Sequence, residues 1–454
     1  MITFRRKIYQ ELLNWKEESK GREALLIEGA RRIGKSTIVE EFAKNEYRSY
    51  ILIDFNDCEK AVLDAFDKMN DLSAFFNILS YTYGVNLYPR ESLIIFDEVQ
   101  RFPKARQSIK KLVKDGRFDY IETGSLISIY ENVKDITIPS EETSIQMFPM
   151  DFEEFCWAMD KPNICDFIRD AFSRKKALDE PLHKECMRLF KQYILIGGMP
   201  QSIVAFLENT YSFDYSDKAK RKIIELYKKD VQKIKGSYKG KVLSTFEQIP
   251  AFLSKHEKRV VFSKIAGGLG SENSYENTFL WLSNSMIANN CFKCSDPNIG
   301  FGLNADDSAV KCYMGDTGLL FSMAFGENQI SKESLYKEIM NEKLAINKGM
   351  LFENVIAQML VSQGHKLYFY THFNQEKHRN DIEIDFMISE SDSVGSRIIP
   401  IEVKSSKNYT TTSLESFKKK FKKRIKTSYI IHPKNFAIRD DDTVCIPPYM
   451  AICL

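Results

Sequence analysis

The segment at residues 25–38 places the tightest limit on what this chain can fold into. It reads LLIEGARRIGKSTI, which is an apolar stretch, then a turn with two glycines, then an amphipathic helical pattern. Glycines let a backbone approach a ligand closely, and consecutive N–H groups at the start of a helix bind phosphate. The segment therefore predicts a nucleoside triphosphate site, with the lysine acting catalytically at the β- and γ-phosphates and the serine on Mg²⁺. Its predicted members are Gly29, Ala30, Arg31, Arg32, Ile33, Gly34, Lys35, Ser36 and Thr37.

A second apolar stretch, residues 92–100 (SLIIFDEVQ), ends in carboxylates. A continuous apolar run of this length is typical of a central parallel strand that is buried on both faces. We expect Asp97 to bind Mg²⁺ and Glu98 to orient the attacking water as the catalytic base. The alternative is that the two acidic residues simply begin a surface turn.

A third predicted strand, residues 118–123, runs directly into a Gly-Ser pair. Because parallel strands end at the same edge of a sheet, we expect Thr123 and Ser125 to lie near the γ-phosphate and to sense its loss. A polar strand end is also common in any α/β sheet, so this role has an ordinary structural alternative.

The composition excludes several classes of protein. With 454 residues, 43% hydrophobic and 28% charged, the chain should form two to four globular units. It has no run of ~18 apolar residues and no signal-peptide core, so we expect a cytoplasmic protein without membrane contact. Nine scattered cysteines favour reduced thiols over a zinc site. The net charge of +3 does not by itself indicate nucleic-acid binding. Residues 221–241 and 418–426 are basic runs. Such a run is usually a solvated helix face, and nucleic-acid contact is the alternative.

The pattern of the chain changes three times. Strand and helix signals alternate over residues 1–150, which predicts an α/β P-loop ATPase core with a parallel sheet. Residues 151–236 are almost wholly helical and indicate a lid. Three short helical patterns followed by two strand-like segments predict a winged-helix-like domain at residues 237–330. Residues 340–454 return to an α/β pattern.

Several motifs occur in one order: GARRIGKSTI, IIFDEVQRFP, ETGS, FPMDFEEF, GGMP, DTGLL, LFEN, IDF and PIEVKS. Together they resemble a group of bacterial and archaeal AAA+ ATPases that carry a fused C-terminal domain of unknown function. The resemblance covers nearly the whole chain and implies ATP and Mg²⁺ as cofactors; the absence of an NKxD motif also favours ATP over GTP. AAA+ rings usually place an arginine finger after the sensor strand, yet none occurs between Arg117 and Arg169. Either Arg101 or Arg117 substitutes, or turnover is slow.

The GGMP motif resembles the glycine-x-proline element of signal-transduction ATPases, in which a lid proline packs on the adenine. The resemblance implies that Pro200 contacts the nucleotide. A tight turn between two helices is the alternative, because Gly-Gly followed by Pro forms such turns in many proteins.

Four residues in the C-terminal half resemble the PD-(D/E)xK nuclease pattern: Glu353, Asp385, Glu402 and Lys404. Side chains two positions apart on a strand lie on the same face, which places Glu402 beside Lys404. We expect Asp385 and Glu402 to bind a metal ion and Lys404 to hold the water that attacks a phosphodiester. The resemblance implies a restriction-endonuclease-like α/β domain, which in some relatives is kept as a nucleic-acid clamp without cleavage.

Two functions are therefore open. The first is an ATPase switch that controls a C-terminal half able to bind or cleave DNA or RNA. The second is a regulatory or scaffolding ATPase whose C-terminal half binds a protein partner or a second copy of the chain. In the second, Glu353, Asp385 and Glu402 are surface or ion-pair residues. DNA affinity that falls steeply with salt would favour the first.

Overall fold

A computed structural model describes residues 2–124, 140–234, 239–255, 258–261, 272–298, 300–325, 332–340, 348–376, 378–392, 395–406 and 408–454. The first unit of the chain is Met1–Phe148 with Asn284–Met286, and the second is Pro149–Ser283 with Ile287–Leu454. Ser125, one of the predicted γ-phosphate residues, lies outside the described ranges. Every helix within these ranges is too short or too polar to cross a lipid bilayer.

The first unit is built on a parallel sheet. Its described strands are β1 (Ala24–Glu28), β2 (Ser49–Asp54), β3 (Ser92–Asp97), β4 (Asp119–Gly124) and β5 (Glu142–Gln146). They lie in the order β2-β3-β4-β1-β5, and each neighbouring pair is parallel. The described helices of this unit are α1 (Ile8–Ser19), α2 (Lys35–Glu46), α3 (Lys60–Ala65), α4 (Leu72–Tyr83) and α5 (Pro103–Asp115). The parallel sheet predicted for a P-loop core is confirmed.

Burial explains why the strands of this sheet read as apolar runs. Every residue of β3 is buried, and Leu26, Ile94 and Phe96 belong to the same hydrophobic core. The carboxyl ends of parallel strands meet at one edge of the sheet. That edge therefore collects the loop between β1 and α2 and the ends of β3 and β4.

The second unit begins with a helical segment. Its helices are α6 (Phe152–Ala158), α7 (Ile164–Ser173), α8 (Glu180–Ile196), α9 (Pro200–Glu208) and α10 (Phe213–Val231). Asp151 and Glu154 form a capping box at the start of α6, in which each side chain accepts a hydrogen bond from the other's backbone N–H. This explains the DFEEF pattern as a helix start.

The rest of the second unit combines helices with a large mixed sheet. The described helices are α11 (Lys239–Ser254), α12 (Glu272–Asn284), α13 (Thr317–Ala324), α14 (Lys332–Met340), α15 (Lys348–Ser362) and α16 (Thr412–Lys420). The described strands are β6 (Val260–Val261), β7 (Ala288–Cys294), β8 (Ala305–Met314), β9 (Leu367–Asn374), β10 (Arg379–Asp392), β11 (Gly395–Val403), β12 (Tyr429–Ile431), β13 (Ala437–Ile438) and β14 (Val444–Ile446). Their order is β13-β14-β12-β11-β10-β9-β7-β8-β6.

In this strand order the described strands of residues 237–330 do not form a sheet of their own, as those of a separate winged-helix-like domain would. Strands β7 and β8 do form the predicted antiparallel hairpin. However, β7 also pairs in parallel with β9, with Cys291 opposite Leu367, so the hairpin belongs to the same sheet as the C-terminal strands. The local pattern predicted the hairpin but not the partner of its outer edge, because an open edge pairs with whatever strand the fold supplies.

Candidate functional site

The loop between β1 and α2 has the backbone of a phosphate-binding turn. Arg32 and Gly34 both lie in the left-handed region, with φ of +70° and +96°, and α2 begins at Lys35 directly after them. The Lys35 ammonium donates hydrogen bonds of 2.9 Å to the carbonyl oxygens of Gly29 and Ala30. Burial lowers the pKa of Lys35 to about 8, while the nearby Glu98 and Asp97 carboxylates act in the opposite direction. The loop therefore holds a desolvated cation inside its own curve.

The end of β3 contacts the start of α2. The Ser36 hydroxyl donates a 2.8 Å hydrogen bond to Asp97 Oδ1, and the Thr123 hydroxyl donates to the same oxygen. Hydroxyl and carboxylate oxygens are ligands that Mg²⁺ prefers, usually together with phosphate oxygens. Ser36 and Asp97 therefore fit the ion that the sequence implies, and the Thr123 hydroxyl lies beside them.

Glu98 follows Asp97 in a left-handed conformation, with φ of +55°. Its backbone N–H donates to the Thr123 hydroxyl at 3.3 Å. Its carboxylate Oε2 accepts a 2.6 Å hydrogen bond from the side-chain amide of Gln100. Gln100 is buried and was not among the predicted site residues, because a glutamine after DEV carries no distinctive signal by itself.

The remaining predicted members of the loop differ in exposure. Ala30 and Ile33 are buried, Arg31 is half-buried, and Arg32 and Thr37 are exposed. The carbonyl oxygen of Ile33 accepts a hydrogen bond from a distant arginine, Arg6, at 2.8 Å. That contact lies 27 residues away in sequence and was also not predicted.

The GGMP motif lies in the second unit at the junction of α8 and α9. The Gly198 N–H donates to Asp316 Oδ2 at 2.5 Å, and a Cβ on Gly198 would lie 2.0 Å from the Met150 carbonyl oxygen. Pro200 is the first residue of α9 and is half-buried, a position where proline costs no hydrogen bond. GGMP and DTGLL, two motifs far apart in sequence, therefore meet through Asp316.

The nuclease-like residues converge in the second unit. Asp385 and Glu402 each lie one residue beyond the paired Phe386 and Ile401 of β10 and β11, so they are cross-strand neighbours. Asp385 Oδ2 accepts a 2.9 Å hydrogen bond from the Val403 N–H. Lys404 and Glu402 form an ion pair of 2.9 Å. Asp385, Glu402 and Lys404 thus share one region of the second unit.

Lysine ammonium groups neutralise this carboxylate cluster. Lys311, which is 1% exposed, lies 3.4 Å from Asp385 and 3.4 Å from Glu383. Lys258 forms an ion pair with Glu353, whose other oxygen accepts a 3.2 Å hydrogen bond from the hydroxyl of Tyr313.

The pKa values follow from this packing. Burial raises the pKa of Glu402 to about 7 against the opposing effect of Lys404. Burial would raise the pKa of Asp385 as well, but Lys311 and Lys258 outweigh it and the net shift is downward. Burial also opposes the charge of Lys311, yet Asp385 and Glu353 raise its pKa overall. The ammonium of Lys311 is therefore held in its charged form.

The cluster does not fit the predicted metal site. The buried Lys311 lies 3.4 Å from Asp385, and the half-buried Lys404 pairs with Glu402 at 2.9 Å. Within the described ranges, no group of three or more His, Cys, Asp or Glu side chains is arranged to hold a metal ion. The packing around Asp385 and Glu402 thus does not support their assignment as metal ligands. The sequence motif gave no indication of this, because it begins at Glu353 and Lys311 lies before it in the chain.

Comparisons with known families agree with the site in the first unit. Residues 21–156 match the profile of a family described as AAA domain. This part of the chain is therefore similar to AAA-type P-loop ATPase domains. Residues 187–330 match a domain of unknown function, DUF8612, and residues 348–451 match another, DUF4143. The resemblance inferred from the motifs is confirmed for the AAA domain, whereas the nuclease-like and winged-helix-like assignments have no family match behind them.

Solved structures align with most of the chain at low similarity. A Walker-type ATPase of Pyrococcus abyssi has 16% identity and a TM-score of 0.38, and the match covers 71% of this chain and 96% of that one. The ORC2 protein of Aeropyrum pernix in its ADP form has 12% identity and a TM-score of 0.31, with coverage of 76% and 96%. A STAND protein of Pyrococcus horikoshii with a tetratricopeptide repeat sensor has 12% identity and a TM-score of 0.27, with coverage of 80% and 50%. No curated protein matches the chain significantly.

The two candidate arginine fingers of the AAA domain differ in position. Arg117 precedes β4, at the sheet edge opposite the phosphate loop, and pairs with Asp115 at 2.7 Å. It therefore does not reach the phosphates of its own site. Arg101 follows β3, is exposed, and donates to the Asn56 side chain at 3.1 Å. Of the two predicted substitutes, only Arg101 lies at the functional edge of the AAA domain.

Much of the basic run at residues 418–426 is engaged within the protein. The helix α16 ends at Lys420 instead of continuing through the run. Lys418 contacts Asp441 and Thr443, Lys420 donates to Tyr370, Arg424 bonds Asp296, and Lys426 pairs with Glu390. The exposed lysines not engaged by these contacts are Lys419, Lys422 and Lys423. The run is therefore a weaker cationic surface than its sequence indicates.

Proposed function

We propose that the protein binds ATP with Mg²⁺ and hydrolyses it at the phosphate loop of its AAA domain. The observation that carries this proposal is the convergence of Ser36, Thr123 and Asp97, whose oxygens lie within hydrogen-bonding distance at the carboxyl edge of the sheet. In this proposal Ser36 and Asp97 hold Mg²⁺, and Thr123 with Ser125 senses the γ-phosphate.

In this proposal Lys35 and Glu98 have separate tasks. In the structure the Lys35 ammonium bonds two loop carbonyls, so it lies at the inner curve of the loop, where it would exchange these acceptors for phosphate oxygens. Glu98 Oε2 is engaged by Gln100, which leaves Oε1 to accept the proton of the attacking water. Bound Mg²⁺ supplies charge stabilisation to the phosphates. Arg101 is our candidate for an arginine finger that acts on a neighbouring copy.

The test compares Lys35→Ala and Glu98→Gln with the unchanged protein. Lys35→Ala should lose ATP binding, because the phosphates lose their buried cation. Glu98→Gln should bind ATP as the unchanged protein does and turn it over at least 10²-fold more slowly, the usual effect of losing a positioned base. Equal turnover by Glu98→Gln would remove Glu98 from the mechanism.

We further propose that nucleotide state acts on the second unit through Pro200. Supporting this, Gly198 is hydrogen-bonded to Asp316 at the start of α13, so a displacement of GGMP is felt across that unit. Pro200→Ala should weaken ATP and ADP binding without changing the unfolding temperature of the nucleotide-free protein. If affinity is unchanged, GGMP is only a helix junction.

For the C-terminal half, the packing favours the second of the two open functions. Of the carboxylates that would hold a catalytic metal ion, Asp385 already pairs with the buried Lys311 and Glu402 with the half-buried Lys404. The basic run is largely engaged as well. We therefore propose a regulatory or scaffolding ATPase in the cytoplasm, whose second unit binds a protein partner or another copy of the chain. DNA or RNA binding by a nuclease-like domain remains the competing proposal.

Three measurements separate these proposals. We expect no saturable Mn²⁺ binding that Asp385→Asn removes, and no nicking of plasmid, linear duplex, single-stranded DNA or RNA. We also expect duplex DNA affinity that changes little between low and moderate salt. Metal-dependent cleavage lost in Asp385→Asn, or a steep salt slope flattened when Lys419, Lys422 and Lys423 become Gln, would restore the nuclease-like proposal.

A further inference from the structure

Arg6 lies outside every predicted site and before the residues matched to the AAA domain family, yet its side chain reaches the phosphate loop. Its guanidinium is buried, with the residue 7% exposed. One terminal nitrogen donates to the Ile33 carbonyl oxygen at 2.8 Å and the other to the Phe148 carbonyl oxygen at 2.7 Å. These acceptors follow two adjacent strands, β1 and β5. Arg6 therefore ties the loop to the segment after the edge strand.

The position of Arg6 is set by the helix that follows it. Leu12 and Trp15 are buried on α1, and Tyr9 of α1 stacks edge-on against Phe42 of α2, with ring centroids 5.6 Å apart. The Tyr9 hydroxyl also donates to Glu46 at 2.8 Å. Helix α1 is thus anchored to α2, which directly follows the phosphate loop. Arg6 is therefore held near that loop.

The bond to Ile33 determines how one peptide of the loop is oriented. In a trans peptide the C=O and the N–H point in opposite directions. Because the Ile33 oxygen is held by Arg6, the Gly34 N–H must point away from Arg6. The residues on either side of Ile33 are both left-handed, at Arg32 and Gly34, a region that Arg rarely adopts without support. A reversed Ile33–Gly34 peptide would present a carbonyl oxygen where a donor is needed.

We propose that Arg6 is a positioning residue of the nucleotide site, which holds the Ile33–Gly34 peptide with its N–H toward the bound phosphates. The inference rests on the proposed ATP binding at this loop. Arginine suits the task because its planar fork serves two carbonyl acceptors at once, whereas the lysine ammonium is a single point donor on a flexible stem. Arg6 touches backbone alone in these two bonds, so it acts through the loop and does not react.

The experiment measures the Kd of a fluorescent ADP analogue for Arg6→Gln, Arg6→Lys and two controls. Arg5→Gln changes the exposed neighbouring arginine, and Leu79→Ala, in α4 within the hydrophobic core of the same unit, destabilises that unit without removing a donor to the loop. All variants are measured well below their unfolding temperatures. Arg6→Gln should raise Kd about tenfold or more, the usual effect of losing a charge-assisted hydrogen bond. Arg6→Lys should recover part of the loss, and neither control should change Kd.

Hydrogen exchange provides a second readout that general destabilisation does not reproduce. The Gly34 amide should exchange faster in nucleotide-free Arg6→Gln than in Arg5→Gln. Binding by Arg6→Gln within twofold of the unchanged protein would overturn the proposal. An equal loss of affinity in Leu79→Ala would also overturn it, because affinity would then follow stability. If the unchanged protein itself fails to bind the analogue, the proposed ATP binding fails and the role of Arg6 fails with it, whereas binding by the unchanged protein and by Arg6→Gln alike overturns the role of Arg6 alone.

Discussion

The side-chain amide of Gln100 holds the carboxylate of Glu98 by a hydrogen bond of 2.6 Å. The two residues are close in sequence, and the left-handed backbone at Glu98 allows its side chain to face the residue two positions later. A non-glycine residue in this region is uncommon, and such residues concentrate at functional sites. The orientation of the proposed base is therefore built into its own turn.

Gln100→Met tests this clamp, because it removes the amide and keeps a side chain of similar length. We expect kcat for ATP to fall about tenfold while KM stays unchanged, since the base loses its orientation and the phosphate loop is untouched. Gln10→Met, at an exposed position of α1, is the matched control. A higher KM at unchanged kcat would place Gln100 in nucleotide binding instead.

Gly198→Ala should destabilise the second unit, because the new Cβ would lie 2.0 Å from the Met150 carbonyl oxygen. We expect a loss of about 2 kcal/mol or more in the free energy of unfolding, in the range of overpacked sites. Gly240→Ala in α11 is the control, since a Cβ there meets nothing within 4 Å; it should be neutral or stabilising by about 0.5–1 kcal/mol. Chemical denaturation measures both. Equal stability of the two variants would show that the GGMP junction accommodates the added methyl group with little strain.

Lys311→Met should lower stability by about 3–5 kcal/mol, because it leaves Asp385 buried without its cation. Lys337→Met is the control: that lysine is 66% exposed and pairs with Glu333 on the same helix, so its loss should cost under about 0.5 kcal/mol. A double variant, Lys311→Met with Asp385→Leu, should recover part of the stability. A stable Lys311→Met protein that binds Mn²⁺ at Asp385 would instead indicate that the lysine closes a latent metal site.

Stability of the first unit should fall as pH rises, because of Glu122. This side chain on β4 is 0% exposed, and burial raises its pKa well above the ordinary value, with Glu142 adding to the rise. Glu142 is itself bonded to Arg106 at 2.6 Å. A carboxyl whose pKa is raised by folding stabilises the protein below its unfolded pKa, and that contribution is lost as pH rises through the folded pKa.

Glu122→Gln keeps the shape of the neutral acid and removes the titration. We expect it to flatten the pH dependence and to raise the unfolding temperature at pH 8 by about 2–4 °C for each kcal/mol recovered. Glu17→Gln, on the exposed face of α1, should change neither quantity. A thermal melt at pH 5.5 and pH 8 gives both comparisons. Greater stability of the unchanged protein at pH 8 than at pH 5.5 would reverse the sign and contradict the argument.

The proposed nucleotide site was the easiest region to locate from the sequence, because its residues lie in contiguous segments. The phosphate-loop motif, the Asp-Glu pair at the end of β3 and the Glu-Thr pair of β4 each mark the end of a strand. A parallel sheet brings strand ends together, so the sequence alone places Ser36, Asp97 and Thr123 near one another. Arg6 and Lys311 were not predicted because each acts across a long separation, 27 residues to Ile33 and 74 residues to Asp385. A single lysine or arginine outside a motif has no local signal of its partner.

Charge patterns were the least predictive feature for a related reason. The run at residues 418–426 reads as a cationic surface, but Lys418 and Lys420 are engaged by Asp441, Thr443 and Tyr370, which lie elsewhere in the sequence. Formal charge counts ammonium groups and not their partners. The tertiary fold decides how many of them are available to a ligand.

The pairing of β7 with β9 has a consequence for how the protein is made. On the ribosome the hairpin of β7 and β8 emerges well before β9, so the outer edge of β7 waits with its N–H and C=O groups unpaired, open to strands of other nascent chains. A fragment that ends near residue 330 retains that open edge permanently, and a fragment that begins near residue 348 leaves the matching edge of β9 uncovered. The boundary between the two matched domains of unknown function thus cuts through a single sheet. The open edge of β7 is covered only when β9, in the last third of the second unit, has been synthesised.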